Sequence, residues 1–102
     1  MVAYADLKNK VIEVIDDFAR DDDVMAGYGS KFSAKTKLDK IGVTEPVRAV
    51  MPKRFNKVMR DLVGASWQPI GSIDLVPKET IADMITLACG QSGVLLPQGE
   101  PK

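Results

Sequence analysis

The sequence predicts an all-α fold, a small bundle of three to four helices. Apolar residues recur at the spacing of one helix face in three separate segments, and glycines and prolines separate those segments. Aromatic residues make up only 6% of the chain, so aliphatic side chains and methionines must fill most of the core. The positions predicted to line that core are Leu7, Val11, Val14, Ile15, Phe18, Leu38, Phe55, Val58, Met59, Leu62, Ile81, Met84 and Ile85.

The first predicted helix runs from about Tyr4 to Arg20. Asp6 suits its start, either as the N-cap or as an acid of the first turn. Asp21 to Asp23 should then form a solvated turn, because three adjacent carboxylates repel one another. This segment lacks the alternating ligands, the glycine and the closing glutamate of a calcium-binding loop.

A long loop is predicted from Val24 to Lys37, where glycines and serines accumulate. The glycines match neither of the glycine-rich motifs that bind phosphates. Leu38 and Ile41 then anchor a short segment to the core, and Gly42 should end that segment with a positive φ.

The central helix should begin with Thr44 as its N-cap and Pro46 in its first turn. Pro52 interrupts the helical pattern, so we expect either a kink or two helical pieces. The second piece should span about Lys53 to Val63, with Gly64 as its stop.

Trp67 lies in the irregular segment that follows, and we expect it to cover one end of the core. The last helix should run from Pro77 or Lys78 to about Cys89. Gly90 suits the left-handed position that ends a helix.

The chain is predicted to form one helical domain over residues 1–90 and a largely flexible C-terminal tail over residues 91–102, since 102 residues fit a single domain. The first residues lack the pattern of a secretory signal. No apolar run approaches the length that spans a bilayer, so we expect no membrane span and a cytoplasmic location.

Charge and composition restrict the possible functions. Fourteen basic residues balance fourteen acidic ones, and the pI of about 6.2 argues against a nucleic-acid-binding protein. There is no histidine and only one cysteine, Cys89, which should be a buried apolar residue. Without histidine the commonest general base and the usual zinc ligands are missing. We therefore predict that the chain is not an enzyme and has no catalytic residues and no metal site.

The order of the predicted elements resembles the acyl carrier protein family, a bundle of three main helices and a short fourth one. The resemblance rests on Leu38, Ile41 and Gly42 just before the central helix, on that helix's apolar positions, and on the segment from Thr80 to Ile85. It implies the carrier-protein fold over most of the chain, from about Leu7 to Ala88.

The family's attachment motif is not retained. Where the family has Asp-Ser-Leu, this chain has Thr44, Glu45 and Pro46, and a carboxylate cannot replace the serine that carries phosphopantetheine. No cofactor is therefore expected. The alternative is an atypical functional carrier that is modified at Ser72, within Gly71-Ser72-Ile73-Asp74, or at Thr44.

The central helix is basic, whereas family members usually present acids there to basic patches on their enzymes. Lys53, Lys57 and Arg60 share one face at the spacing i, i+4, i+7. This face is simply solvated, a docking face for an acidic partner, or a nucleic-acid contact. The last reading lacks the interleaved exposed aromatics and the module signature that such contacts have. The residues predicted to be exposed there and to bind that partner are Arg48, Lys53, Arg54, Lys57 and Arg60.

The favoured function is thus a non-catalytic, carrier-like protein that acts through protein–protein contacts without a prosthetic group. Besides the atypical carrier, an unrelated small helical adaptor or regulator remains as an alternative.

Overall fold

The computed structural model of the chain describes residues 2–19 and 35–99. These residues form helices α1 (Tyr4–Phe18), α2 (Glu45–Val50), α3 (Pro52–Val63), α4 (Ser72–Leu75) and α5 (Ile81–Ser92). Two short 3-10 turns, Leu38–Ile41 and Gly64–Ser66, complete the regular structure of this part of the chain. The all-α prediction is confirmed for these residues, although they form five helices and not three to four. The predicted turn at Asp21 to Asp23 and the loop from Val24 up to residue 34 lie outside them.

Helix α1 is the centre of the bundle and packs against both α3 and α5. Its buried stripe repeats at helical spacing, and Asp6 lies in the first turn rather than at the N-cap, which is Ala3. The helix ends at Phe18, and Ala19 is extended, so the predicted end near Arg20 was too late. The expected core positions are buried with three exceptions at its rim, where the side chains are only partly buried: Phe18, Val58 and Leu62.

The segment that leads into the 3-10 turn Leu38–Ile41 pairs with the residues just before α5. Leu38 N–H donates to Glu79 O at 2.8 Å and Ile81 N–H donates to Thr36 O at 3.2 Å, around a single antiparallel bridge. Leu38 and Ile41 are buried, and Gly42 ends the turn at φ 83°, as predicted. This left-handed conformation is one that a glycine adopts without steric cost.

Helices α2 and α3 are the two pieces that Pro52 was expected to produce. Thr44 occupies the N-cap position of α2, but its side chain makes no capping hydrogen bond, contrary to our expectation. A capping oxygen accepts from the second or third helical N–H, and here the second helical residue is Pro46, which has none. Helix α3 stops at Gly64 as predicted.

The bounds predicted for the last helix were wrong at both ends. Helix α5 begins after Thr80, whose hydroxyl accepts from Asp83 N–H at 3.3 Å while Asp83 Oδ2 accepts from Thr80 N–H at 3.2 Å. This reciprocal pair defines the start, and Pro77 lies in the preceding turn. The helix continues through Gly90 and ends at Gly93, which has φ 77°.

Candidate functional site

The basic face of α3 follows from the position of its core stripe. Phe55 and Met59 are fully buried, so the residues on the opposite side of the helix must face solvent. Lys53, Lys57 and Arg60 lie there, and all three are exposed as predicted.

These three cations line a groove that the sequence did not predict. The groove has a volume of about 400 Å³ and runs between α3 and the loop that contains Pro69. Its lining holds three cations and one carboxylate, so its local charge is positive although the chain is neutral. We call it the basic groove, and it is lined by Lys53, Asn56, Lys57, Arg60, Asp61 and Pro69.

Asn56 holds the loop that contains Pro69, on the other side of the basic groove, against α3 by hydrogen bonds. Its Oδ1 accepts from Trp67 Nε1 and from Ile70 N–H, each at 2.9 Å. Its Nδ2 donates to Ile70 O at 2.8 Å. Trp67 is buried, as expected, against Phe55, with their ring centroids 5.9 Å apart. The loop between Trp67 and Ile70 therefore has a defined position relative to the cations.

Arg48 does not belong to the basic face, and its predicted exposure was wrong. Its side chain is only 4% exposed. The guanidinium donates to Val43 O at 2.7 Å, to Val76 O at 3.0 Å and to Asp39 Oδ1 at 2.9 Å. Arg48 thus ties the segment before α2 to the end of α4, and it is unavailable to a partner.

Arg54 is exposed but lies on a different side of α3. Its guanidinium contacts Asp17 Oδ2 of α1 at 3.3 Å, and both side chains are about half exposed. It borders a second surface groove, between α1 and α3, together with Lys10 and Glu13. The structure therefore brings together three of the five predicted partner-binding cations and separates Arg48 and Arg54 from them.

The residues considered for phosphopantetheine attachment lie away from the basic groove. Thr44 and Glu45 are exposed at the start of α2, and Ser72 is exposed as the first residue of α4. None of the three lines the basic groove. Thr44 and Ser72 are both exposed residues, so neither candidate is excluded by burial.

Among the described residues, burial shifts the pKa of two titratable groups. The Cys89 thiol is buried as predicted, and desolvation raises its pKa, which keeps it in the unreactive thiol form. Burial, and next the charge of Asp17, raise the pKa of Asp16. One oxygen of Asp16 is buried without a hydrogen-bond partner among the described residues.

Within residues 2–19 and 35–99, no cluster of three or more acids or cysteines could hold a metal ion. The same residues include no helix that is both long and apolar enough to cross a bilayer. No protein-family model, no curated protein and no solved structure matches this chain.

Sequence reasoning missed Asn56, although a signal was present. Asparagine is a poor helix former, and Asn56 stands in the middle of α3, where a residue chosen for helix propensity would be expected. A buried tryptophan also needs an acceptor for its N–H. These two observations mark Asn56 as a polar residue in need of a partner and Trp67 as a donor in need of an acceptor, but only the structure pairs them.

Proposed function

We propose that this chain is a non-catalytic binding protein that docks an acidic protein partner in its basic groove. The observation that carries the proposal is the alignment of Lys53, Lys57 and Arg60 along one wall of that groove. All three are exposed, while the opposite face of the same helix is committed to the core. A row of like charges on a rigid helix attracts a partner of opposite charge and fixes its register.

The charge pattern favours a protein partner over a nucleic acid. Asp61 stands in the same groove as the three cations, and a phosphate backbone would meet its repulsion at that point. A protein surface can place its carboxylates opposite the cations and leave a neutral or basic residue opposite Asp61.

The carrier-like part of the proposal has its own support. The described elements follow the order that the resemblance implies: a long helix, a glycine-ended turn, a central helical segment, a short helix and a final helix. Glu45 stands where the resemblance places the family's modified serine, and its carboxylate cannot form the phosphodiester that a serine hydroxyl forms. We propose that no phosphopantetheine is carried. The docking proposal holds equally for an unrelated helical adaptor, because it depends only on the groove.

Charge reversal tests the docking proposal. Lys53→Glu combined with Lys57→Glu should abolish capture of the partner from the source cell, and capture by the wild type should weaken as salt is added. Lys37→Glu with Lys40→Glu is the matched control, since it makes the same charge change at two exposed lysines outside the groove.

A photo-crosslinker placed at Lys57 identifies what is actually bound, and the same crosslinker at Lys37 controls for nonspecific contact. The proposal requires that the Lys57 adduct be a protein with an acidic surface. If both charge-reversed proteins capture the same proteins as the wild type, the basic face is only solvated and the proposal fails.

The atypical carrier remains a second candidate because Thr44 is an exposed residue and its side chain makes no capping bond. Incubation with coenzyme A and a promiscuous phosphopantetheinyl transferase, followed by intact mass and peptide mapping, decides between the two. We expect no mass gain. A stoichiometric gain localised to Thr44 or Ser72 would replace the prosthetic-group-free proposal with the atypical carrier.

A further inference from the structure

The loop from Trp67 to Ile70 is held from two sides. Asn56 of α3 binds the Trp67 indole and both backbone groups of Ile70. Gln91 of α5 binds Gln68, one of the two residues between them: Gln68 N–H donates to Gln91 O at 2.9 Å, and Gln91 Nε2 donates to Gln68 O at 2.8 Å. A four-residue loop with this many side-chain bonds to two different helices is fixed rather than free.

Pro69 is the residue that this arrangement leaves facing the basic groove. It is exposed, its neighbours Gln68 and Ile70 are both bonded, and its ring restricts its own φ. The groove therefore has two unlike walls, a row of cations on α3 and a prolyl surface opposite them. Because the second wall is already ordered, a partner that contacts it loses no free energy in ordering it.

The dimensions of the cationic wall indicate the shape of the partner. Lys53 and Arg60 are seven residues apart on one helix, a rise of about 10.5 Å. A second helix that carries carboxylates at i, i+4 and i+7 covers the same length and presents one charge to each cation. Such a helix also presents an apolar side that can contact Pro69. A ligand that carries only a charge has no apolar surface to make this contact.

We infer that the basic groove binds an acidic amphipathic helix of the partner protein and that the loop from Trp67 to Ile70 is the second wall of this docking site. Asn56 and Gln91 are positioning residues, which hold this wall in place. This inference rests on the proposed function, since it describes how the same groove recognises its partner.

The direct test uses an alanine-based peptide of about 20 residues, long enough to be helical alone, with glutamates spaced i, i+4, i+7. A peptide of the same composition with the glutamates spread around the helix is the control. In nuclear magnetic resonance titrations, the first peptide should shift the amide signals of both walls, Lys53 to Arg60 and Gln68 to Gly71. Trp67, the only tryptophan of the chain, adds an indole N–H signal and a fluorescence signal for the second wall.

Three results have distinct meanings. Shifts on both walls, with tighter binding of the first peptide, support the inference. Shifts confined to the cationic wall, or equal binding of the two peptides, overturn it and leave charge-driven docking intact. No binding to either peptide at low salt contradicts the inference and, if the crosslinking at Lys57 also fails, the proposed function with it.

Asn56→Ala separates positioning from charge. It should weaken binding of the first peptide roughly tenfold at every salt concentration and leave the salt dependence unchanged, because no cation is lost. Lys57→Ala should instead weaken binding and also reduce the salt dependence. Gln91→Ala is the milder version of the Asn56 test, and it keeps the inference testable if Asn56→Ala does not fold.

Asp83→Ala controls for a general loss of stability. It removes the capping pair at the start of α5, and Asp83 does not line the groove. It should lower the melting temperature and leave peptide affinity unchanged. If Asn56→Ala and Gln91→Ala also leave affinity unchanged, their bonds are structural only, and the inference fails.

Discussion

Arg48 of α2 and the three cations of the basic groove on α3 lie on consecutive helices and have opposite environments. Arg48 is 4% exposed and donates three hydrogen bonds, two of them to backbone carbonyls. Lys53, Lys57 and Arg60 are exposed and make no ion pair within the described part of the chain. The same class of side chain therefore serves the fold in one place and remains available for binding in the other.

Helical register explains the difference. Within α2, Arg48 lies one turn before the buried Met51 and so faces the core, whereas in α3 Phe55 and Met59 form the buried stripe. The groove cations fall on the other side of that stripe. A cation at a core-facing position is costly unless it is paired and hydrogen-bonded, and the carbonyls of Val43 and Val76 meet this requirement. Register thus indicates where a charge goes, and available acceptors decide whether it is tolerated there.

The largest effect on stability should come from Phe55→Ala, on the buried stripe itself. Phe55 is fully buried and packs against Trp67, so its truncation should cost about 3–5 kcal/mol in the free energy of unfolding. Chemical denaturation measures this cost and sets the scale for the buried side of the helix. A loss below about 1 kcal/mol would show that the site collapses and that the stripe is not the centre of the core.

Arg48→Met tests whether Arg48 behaves as a core residue. The methionine can fill the space but leaves the carbonyls of Val43 and Val76 without their donor, so we expect a loss of about 2–4 kcal/mol. Arg48→Lys should recover little of it, because an ammonium group cannot reproduce the fork of the guanidinium. Denaturation curves that match the wild type would show that Arg48, like the exposed cations, contributes little to the free energy of unfolding.

Asp16 is a partly buried acid with an unpartnered oxygen, the opposite case to Arg48. Its raised pKa means that folding disfavours the charged form, so it destabilises the protein above its folded pKa. This penalty is relieved as the pH falls through the folded pKa and is absent below the ordinary value of 3.8. Its position near the C-terminal end of α1 adds to the penalty, because an anion is unfavourable there.

Asp16→Asn should therefore stabilise the protein modestly at pH 7, and the advantage should shrink as the pH approaches 3.8. Denaturation of both proteins at a series of pH values checks this. An advantage that is independent of pH would assign the effect to helix propensity or to packing and not to the charge of Asp16.

The smallest effect is expected for the groove cations. Lys53→Glu and Lys57→Glu should each change the free energy of unfolding by less than about 0.5 kcal/mol, since both side chains are exposed. Lys53→Glu could even stabilise α3 slightly, because it places an acid in the first turn. Thermal denaturation of the double variant gives the answer. If the double variant loses as much stability as Arg48→Met does, the groove cations contribute to the fold as Arg48 does, and the distinction between them is wrong.

The sequence by itself determined the features that depend on residues three or four positions apart. These are the helical stripes of α1, α3 and α5, the break at Pro52, the stop at Gly64 and the exposure of Lys53, Lys57 and Arg60. The start of α5 was also encoded locally, in the Thr80 and Asp83 pair, and sequence reasoning overlooked it in favour of Pro77. Helical periodicity depends only on residues close together in the sequence, so it can be predicted without the tertiary structure.

Only the tertiary structure decided which polar side chains form hydrogen bonds within the folded chain and which remain available to a partner. Arg48 meets its most distant acceptor 28 residues away, Asn56 binds residues 11 and 14 positions away, and Gln91 meets Gln68 at a separation of 23. These bonds form between elements that the connecting chain does not place in advance. The groove also depends on the tertiary structure. Its second wall lies beside α3 because Trp67 packs on Phe55 and because Asn56 forms hydrogen bonds with the loop.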